Sequence, residues 1–228
     1  MPASKKDNKM QKALELIGSI TCPFVQRVQM VLMAKELNYT FTPIDLNHKP
    51  DWFKEVSPYG KVPVLRHKNN YLYESSVINE YLEEVFPKPA LWPADALLRA
   101  QARIWINYCD NQFLTHYFQL LKNQDKNQME ELTDTLIASL KFMEKEGLEK
   151  LSDKGPFWLG EKLSLLDAAI YPFFERFPML EHYRKVSIPQ SYQRLLAWIA
   201  HMQQQTYVIN SSNPLAIYLK VYAKYANA

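Results

Sequence analysis

The sequence lacks residues and patterns that identify several classes of protein. Its 228 residues contain only two cysteines, Cys22 and Cys109, which form no CxxC pair. This spacing disfavours a disulfide scaffold and fits a reducing compartment. The formal net charge is only +3 and the lysines are spread along the chain, so nucleic-acid binding has no electrostatic support. Five glycines and a 47% hydrophobic share are typical of a packed, helix-rich globule.

Signals for membranes, metals and nucleotides are also missing. No apolar run approaches the roughly 20 residues of a membrane-spanning helix, and no apolar segment follows the basic N-terminus as in a secretory signal. We therefore predict a cytoplasmic protein. The five histidines lack metal-ligand spacing, and the sequence has no glycine-rich phosphate loop. We expect neither a metal nor a nucleotide cofactor.

The first part of the chain alternates strand and helix patterns after a polar tail at 1–12. The patterns predict a strand at 13–19, a helix at 23–37, a strand at 39–46, a hairpin with strands at 61–66 and 71–73, and a helix with a hydroxyl cap near 75. This βαβ-ββα order over 13–86 is that of a thioredoxin-like α/β domain. Pro63 at the start of the third strand predicts a cis Val62–Pro63 bond.

The rest of the chain has a helical pattern. A proline-dense linker at 87–94 separates it from the first domain. An all-α domain at 95–228 follows, with five helices predicted at 94–121, 128–151, 164–176, 189–205 and 213–225. Ser164, followed three residues later by Asp167, predicts a capping box at the start of the third of these helices.

Cys22 is the residue with the clearest chemical argument. It lies between the first strand and Pro23, where the free N–H groups of a helix start favour an anion and lower the pKa of a thiol. Val25 stands where a dithiol oxidoreductase carries its second cysteine, so a mixed disulfide on Cys22 would need an external thiol such as glutathione. The alternative is a buried, inert cysteine.

Other residues offer contacts for a peptide-like thiol. Glu74 and Ser75, at a helix start, would bind the ammonium and the carboxylate of an amino-acid moiety, or form a plain cap. Val62, next to Pro63, would pair with an extended peptide backbone.

For three further residues, the argument for a functional role is weaker. Lys49 and Lys61 would face a second carboxylate, although isolated lysines are usually solvated. Cys109, among aromatic residues of a predicted helix, has the pattern of a small core residue, and a redox role for it stays open.

Taken together, these motifs resemble the cytosolic glutathione transferases, and within them the omega-like cysteine branch, which is related to dehydroascorbate reductases and lambda-type enzymes. The resemblance covers nearly the whole chain. The segments that carry it are CPFVQR at 22–27, NHKPDWF at 47–53, PYGKVPVL at 58–65, YES at 73–75 and SLLDAA at 164–169. Their order and spacing are more specific than any one of them.

The resemblance implies a site for glutathione as co-substrate. In it Cys22 would form a mixed disulfide, Val62 would pair with the cysteinyl backbone, and Glu74 with Ser75 would hold the γ-glutamyl end. Lys49 would face the glycine carboxylate, and Phe24, Lys61 and Pro63 would also belong to the glutathione site.

A second pocket is also implied, lined by Phe24 and by the helix that carries Tyr108. It would take a small electrophilic or disulfide substrate. The resemblance further implies a homodimer and an enzyme, a thiol transferase or glutathione-dependent reductase that acts in deglutathionylation or dehydroascorbate-type reduction. The extension typical of animal omega members is only partly present before Ala13, so the substrates of that subgroup are not implied.

Three alternatives share the fold. One is a glutathione-conjugating transferase, which uses a hydroxyl to stabilise free glutathione thiolate. The second is a non-catalytic binding protein of the stringent starvation type, which the cysteine at the helix start disfavours. The third is an intracellular chloride channel-like protein, for which the apolar segments are too short.

Overall fold

A mixed four-stranded sheet forms the centre of the first unit. The computed structural model describes residues 14–151 and 155–226, and the predicted tail at 1–12 lies outside them. The sheet has the order β2-β1-β3-β4, with β1 and β2 parallel and the other pairs antiparallel. This is the predicted thioredoxin-like arrangement. The strands are β1 (Leu14–Gly18), β2 (Thr40–Pro43), β3 (Val64–His67) and β4 (Asn70–Tyr73).

Three helices belong to this unit: α1 (Pro23–Ala34), α2 (Phe53–Val56) and α3 (Ser75–Val85). Helix α1 has Pro at its first position, where the missing N–H costs nothing. It ends earlier than the predicted Leu37 because Glu36 has a positive φ of 54°, which turns the chain out of the helix. Helix α2 was not predicted, since a single turn has no measurable period.

Two backbone features were predicted next to β3 and α3, with different outcomes. The Val62–Pro63 peptide bond is cis, which confirms the prediction. The hydroxyl cap predicted for α3 is wrong, because Glu74 occupies the N-cap position and Ser75 is the first helical residue. Glu74 has a positive φ of 67°.

The second unit, residues 91–209 with 213–226, is helical; residues 210–212 group with the first unit. A π-helical turn at Cys109–Phe113 joins α4 to α5, and another at Met143–Leu148 joins α6 to α7. The helices are α4 (Ala96–Tyr108), α5 (Leu114–Lys122), α6 (Met129–Phe142), α7 (Glu149–Leu151), α8 (Leu165–Glu175), α9 (Pro178–Arg184), α10 (Gln193–Gln203), α11 (Thr206–Ile209) and α12 (Leu215–Ala226).

The prediction of five helices is therefore incomplete. It missed α9, which begins at Pro178, because a proline inside an apolar run indicates a break as readily as the first position of a new helix. It also missed the single turn of α11. Across the described ranges 14–151 and 155–226, the helices are too short or too polar to cross a membrane.

The capping box predicted at the start of α8 is confirmed. Ser164 Oγ accepts a hydrogen bond from Asp167 N (3.4 Å), and Asp167 Oδ2 accepts one from Ser164 N (2.9 Å). The other oxygen, Oδ1, accepts from Trp158 N and from Trp198 Nε1, both at 2.9 Å. This buried carboxylate thus fixes the start of α8 within the core of the second unit.

Candidate functional site

Cys22 lies at the turn from β1 into α1. It is the N-cap residue, with an extended backbone (φ −78°, ψ 123°), and its side chain is partly exposed. Its N–H donates to Ser19 O and its carbonyl accepts from Gln26 N, both at 3.1 Å. A helix N-cap is surrounded by N–H groups of the first turn, which favour a negative charge there.

The close approach of β1 and α1 depends on Gly18. A Cβ at this position would be only 2.5 Å from Val25 Cγ2, a distance that side-chain atoms do not tolerate. The absence of a side chain at Gly18 therefore lets α1 pack onto the end of β1 and sets the position of Cys22.

A pocket of about 220 Å³ lies in the first unit. It brings together predicted residues from the start of α1, the loop before β3 and the turn into α3. Cys22, two residues before Phe24, and Lys49 lie outside this lining. The residues that line it are Phe24, Lys61, Val62, Pro63, Glu74 and Ser75, which were predicted, and Ser57, Tyr59 and Tyr73, which were not.

The loop between α2 and β3 forms one wall of the pocket. Ser57 Oγ donates to Lys61 O (2.7 Å) and accepts from Lys61 N (3.0 Å), so one hydroxyl closes the loop from both sides. Val62 packs against a buried cluster of Ile17, Ile44, Phe53 and Val64. The core of the unit thereby holds the backbone of Val62 in place.

The turn from β4 into α3 forms another part of the pocket wall. Glu74 is exposed, and Ser75 is only 6% exposed. A non-glycine residue with positive φ, such as Glu74, is uncommon, and such residues cluster at functional sites. The free N–H groups of the first turn of α3 favour an anion next to Ser75.

The predicted Lys49 lies next to the loop that carries Lys61. Lys49 is exposed, and its Nζ would be 3.9 Å from a Cβ at Gly60. Gly60 directly precedes Lys61, so both lysines are associated with the loop that carries Val62.

Tyr108 and Cys109 belong to the second unit. The Tyr108 hydroxyl donates to Ser139 O at 3.5 Å, and its ring packs edge-on to Trp105 at 5.4 Å. Burial raises the pKa of Tyr108. Cys109 is fully buried, in agreement with its predicted place in the core, whereas the proposed role of Tyr108 in binding a second substrate stays a prediction.

Sequence reasoning missed Ser57 and two tyrosines of the pocket, and a buried arginine that contacts Ser75. The Tyr59 and Tyr73 rings pack edge to face at 5.5 Å and are 66% and 38% exposed. Arg27, on α1, is 1% exposed. Tyr59, Tyr73 and Arg27 occur in the motifs quoted above, and Ser57 directly precedes one of them. No local signal marks Arg27 as buried, because Gln26 and Gln29 make its surroundings in the sequence polar.

Across the residues that the structure describes, no group of three His, Cys, Asp or Glu side chains could hold a metal ion.

Comparisons with known proteins agree with this fold. The family model described as "Glutathione S-transferase, N-terminal domain" matches residues 21–85, which contain Cys22 and the whole pocket, and "Glutathione S-transferase, C-terminal domain" matches 126–201. Glutathione S-transferase L1 of Arabidopsis thaliana is 35% identical over 190 residues, which cover 82% of this chain and 76% of that protein.

Two further similarities cover still more of the chain. Glutathione S-transferase omega-1 of Mus musculus is 31% identical over 209 residues, 90% of this chain and 81% of that protein. The crystal structure of a Tau class glutathione S-transferase from mango, Mangifera indica, superposes with a TM-score of 0.87 at 26% identity, covering 94% of this chain and 98% of that one.

Proposed function

Because the chain belongs to the glutathione S-transferase family, we propose that it is a glutathione-dependent thiol transferase whose nucleophile is Cys22. The observation that carries the proposal is a partly exposed thiol at the N-cap of α1. A thiolate in this position is itself a nucleophile and forms a covalent intermediate. The sequence similarity to L1 and omega-1 relatives supports the same class.

We infer a partner for each part of glutathione in the pocket or beside it. Ser75 and the first-turn N–H groups of α3 would bind the γ-glutamyl carboxylate, and the exposed Glu74 carboxylate would bind the ammonium. The backbone of Val62 would pair with the cysteinyl residue. Lys49 and Lys61 would face the glycine carboxylate.

The proposed substrate is a mixed disulfide of glutathione with a second thiol. The Cys22 thiolate attacks the glutathione sulfur, the substrate S–S bond breaks, and the second thiol leaves as a thiolate. A free glutathione thiolate then attacks the glutathione sulfur bound to Cys22 and releases the Cys22 thiolate and oxidised glutathione. One free glutathione is consumed in this cycle, because the other half of the oxidised glutathione is the glutathionyl group of the substrate. Dehydroascorbate-type reduction would instead take its two electrons from two free glutathione molecules, which leave as oxidised glutathione.

A matched pair of variants tests this function. Cys22→Ser should lower thiol-transferase activity at least about a thousandfold, because a hydroxyl cannot form the mixed disulfide. Cys109→Ser, which changes the other cysteine in the same way, should keep the activity. Full activity in Cys22→Ser would contradict the proposal. Conjugation of an electrophile by Cys22→Ser, with no disulfide exchange by the parent, would identify a conjugating transferase instead.

The homodimer and the cytoplasmic location stay predictions. Light scattering on the purified chain tests the first, and cell fractionation tests the second.

A further inference from the structure

A short segment near the end of the chain, residues 210–212, belongs to the first unit. The chain leaves the second unit after Ile209 and returns to it at Asn213. We name residues 210–212 the strap. Ser211 in the strap is only 5% exposed. A buried polar side chain needs a hydrogen-bond partner, and for Ser211 a partner lies on α1.

Gln26 on α1 contacts the strap. Its side chain is fully buried, and its Nε2 donates to Ser211 Oγ at 3.4 Å. An amide nitrogen is a donor only, so the hydroxyl oxygen is the acceptor. The two residues are 185 positions apart, and both belong to the first unit. The strap thus supplies a buried polar contact to the helix whose N-cap is Cys22.

Gln26 also closes the first turn of α1. Its backbone N–H donates to the Cys22 carbonyl at 3.1 Å, so one residue holds Cys22 by its main chain and the strap by its side chain. An anion at an N-cap interacts with the N–H groups of the second and third helical residues, which are Phe24 and Val25 here. These groups move with the first turn. A displacement of Gln26 therefore changes the stabilisation of a thiolate at Cys22.

We propose that the strap positions Cys22 for reaction, with Ser211 and Gln26 as its positioning residues. The Ser211 hydroxyl fixes the Gln26 side chain, and Gln26 fixes the first turn of α1 against the Cys22 sulfur. This inference rests on the proposed function, because it takes Cys22 as the nucleophile. It concerns the reactivity of the thiolate and not the disulfide exchange that follows, and the two are measured separately.

The test is the pH profile of Cys22 alkylation by iodoacetamide in the full chain. Peptide mapping keeps the signal of Cys22 separate from that of Cys109. The midpoint of the profile reports how well the thiolate is stabilised, because the thiolate is the nucleophile. Ser211→Ala removes the oxygen to which Gln26 Nε2 donates. It should raise the midpoint by about 0.5 pH unit and slow alkylation below the midpoint about threefold.

Gln26→Leu removes the donor of the same contact and keeps the main-chain bond to Cys22. It should raise the midpoint by about the same amount as Ser211→Ala. Once Gln26 is replaced, Ser211→Ala should shift the midpoint by less than about 0.2 pH unit, because both changes remove one contact. Shifts that add in the double variant would mean that the two residues act separately, and they would overturn the proposal.

Ser139→Ala is the matched control. Ser139 lies on α6 of the second unit, is 4% exposed, and its hydroxyl donates to Thr135 O at 3.0 Å. The substitution removes an equally buried hydroxyl and should leave the alkylation profile of Cys22 unchanged. A shift as large as that of Ser211→Ala would show that the effect is not specific to the strap, and it would overturn the proposal.

Thermal unfolding of each variant separates positioning from stabilisation. A lower melting temperature in Ser211→Ala with an unchanged or lowered midpoint indicates a purely structural role, and it overturns the proposal. If Ser211→Ala does not fold, Gln26→Leu decides, and an unchanged midpoint in that variant overturns the proposal in the same way.

The outcomes also separate this inference from the proposed function. An unchanged midpoint in the folded variants, with disulfide exchange by the parent chain, overturns the role of the strap alone. A raised midpoint without disulfide exchange by the parent overturns the sulfur chemistry and supports the strap. A parent chain whose Cys22 is not alkylated in the folded state overturns both.

Discussion

The Arg27–Ser75 contact in the first unit and the Asp167 carboxylate in the second are both buried and polar, but their hydrogen bonding differs. Arg27 reaches Ser75 at 3.5 Å, next to an open pocket. Asp167 accepts from Trp158 N, Ser164 N and Trp198 Nε1 at 2.9 Å and from Ser164 Oγ at 2.6 Å. Burial raises the pKa of Asp167, and these hydrogen bonds act in the opposite direction.

The difference distinguishes a group that stabilises the fold from one that we propose binds a ligand. A carboxylate has about four acceptor sites, and Asp167 has four donors, so it has no capacity left for a ligand. Ser75 accepts from Arg27 and keeps its own proton for a further partner. We therefore expect changes at Asp167 to affect stability, and changes near Ser75 and Cys22 to affect binding and reactivity.

The largest effect on stability should come from Asp167→Ala. The substitution leaves buried donors of Trp158, Ser164 and Trp198 without their acceptor, so the free energy of unfolding should fall by about 4 kcal/mol. Asp167→Asn keeps one carbonyl oxygen and should cost less. Denaturant unfolding measures both, and a loss below about 1 kcal/mol for Asp167→Ala would show that the network is not a main source of stability.

A pair of glycine substitutions compares the two units directly. A Cβ at Gly18 would be 2.5 Å from Val25 Cγ2, and one at Gly147 would be 2.6 Å from Trp158 Cζ3. Each change to alanine should lower the free energy of unfolding by about 1–3 kcal/mol through overpacking. Gly18→Ala should also slow alkylation of Cys22 about tenfold, because Val25 and α1 must move.

Gly147→Ala, in the second unit, is the control, and it should leave the rate of Cys22 alkylation unchanged. Equal rates in both variants would mean that the position of α1 on β1 does not set the reactivity of Cys22.

The smallest expected effect is on the pH dependence of the free energy of unfolding. Burial, and secondarily the charge of Lys68, lower the pKa of His67, whose Nδ1 lies 2.7 Å from the Tyr81 hydroxyl oxygen. The unfolded state therefore binds a proton more readily, and stability should decrease as the pH falls below 6.5, the ordinary value. Burial lowers the pKa of His116 in the same way.

Denaturant unfolding over a pH series from neutral to mildly acidic measures this effect. His67→Phe should reduce the loss of stability toward acid, and His116 accounts for a remaining part. His182→Phe, at an exposed position, should keep the loss unchanged. An unaltered pH dependence in His67→Phe would contradict the assignment.

The parts of the fold that depend on local residue patterns were predicted from the sequence. Strand alternation and the helical period gave the thioredoxin-like order, and Ser164 with Asp167 marked the start of α8. The cap of α3 was wrong because Glu74 takes a backbone conformation that is rare for its residue type. Helix α9 was missed because Pro178 is equally compatible with a break and a start.

The residues of the candidate site also divide into those that a local sequence pattern predicts and those that it does not. Phe24, Val62 and Ser75, which line the pocket, were predicted as site residues because each is next to a turn with a recognisable local pattern. Ser57, Tyr59, Tyr73 and Arg27 were not predicted, since their positions depend on which elements pack together. Arg27 in particular meets Ser75 only because α1 and α3 lie side by side, a contact between residues 48 positions apart.

Mass spectrometry of the intact chain after incubation with oxidised glutathione tests the role of Cys22 most directly. We predict one glutathione adduct per chain, located on Cys22 by peptide mapping and removed by reduced glutathione. An adduct on Cys109 alone, or none at all, would contradict the assignment of Cys22 as the covalent glutathione carrier.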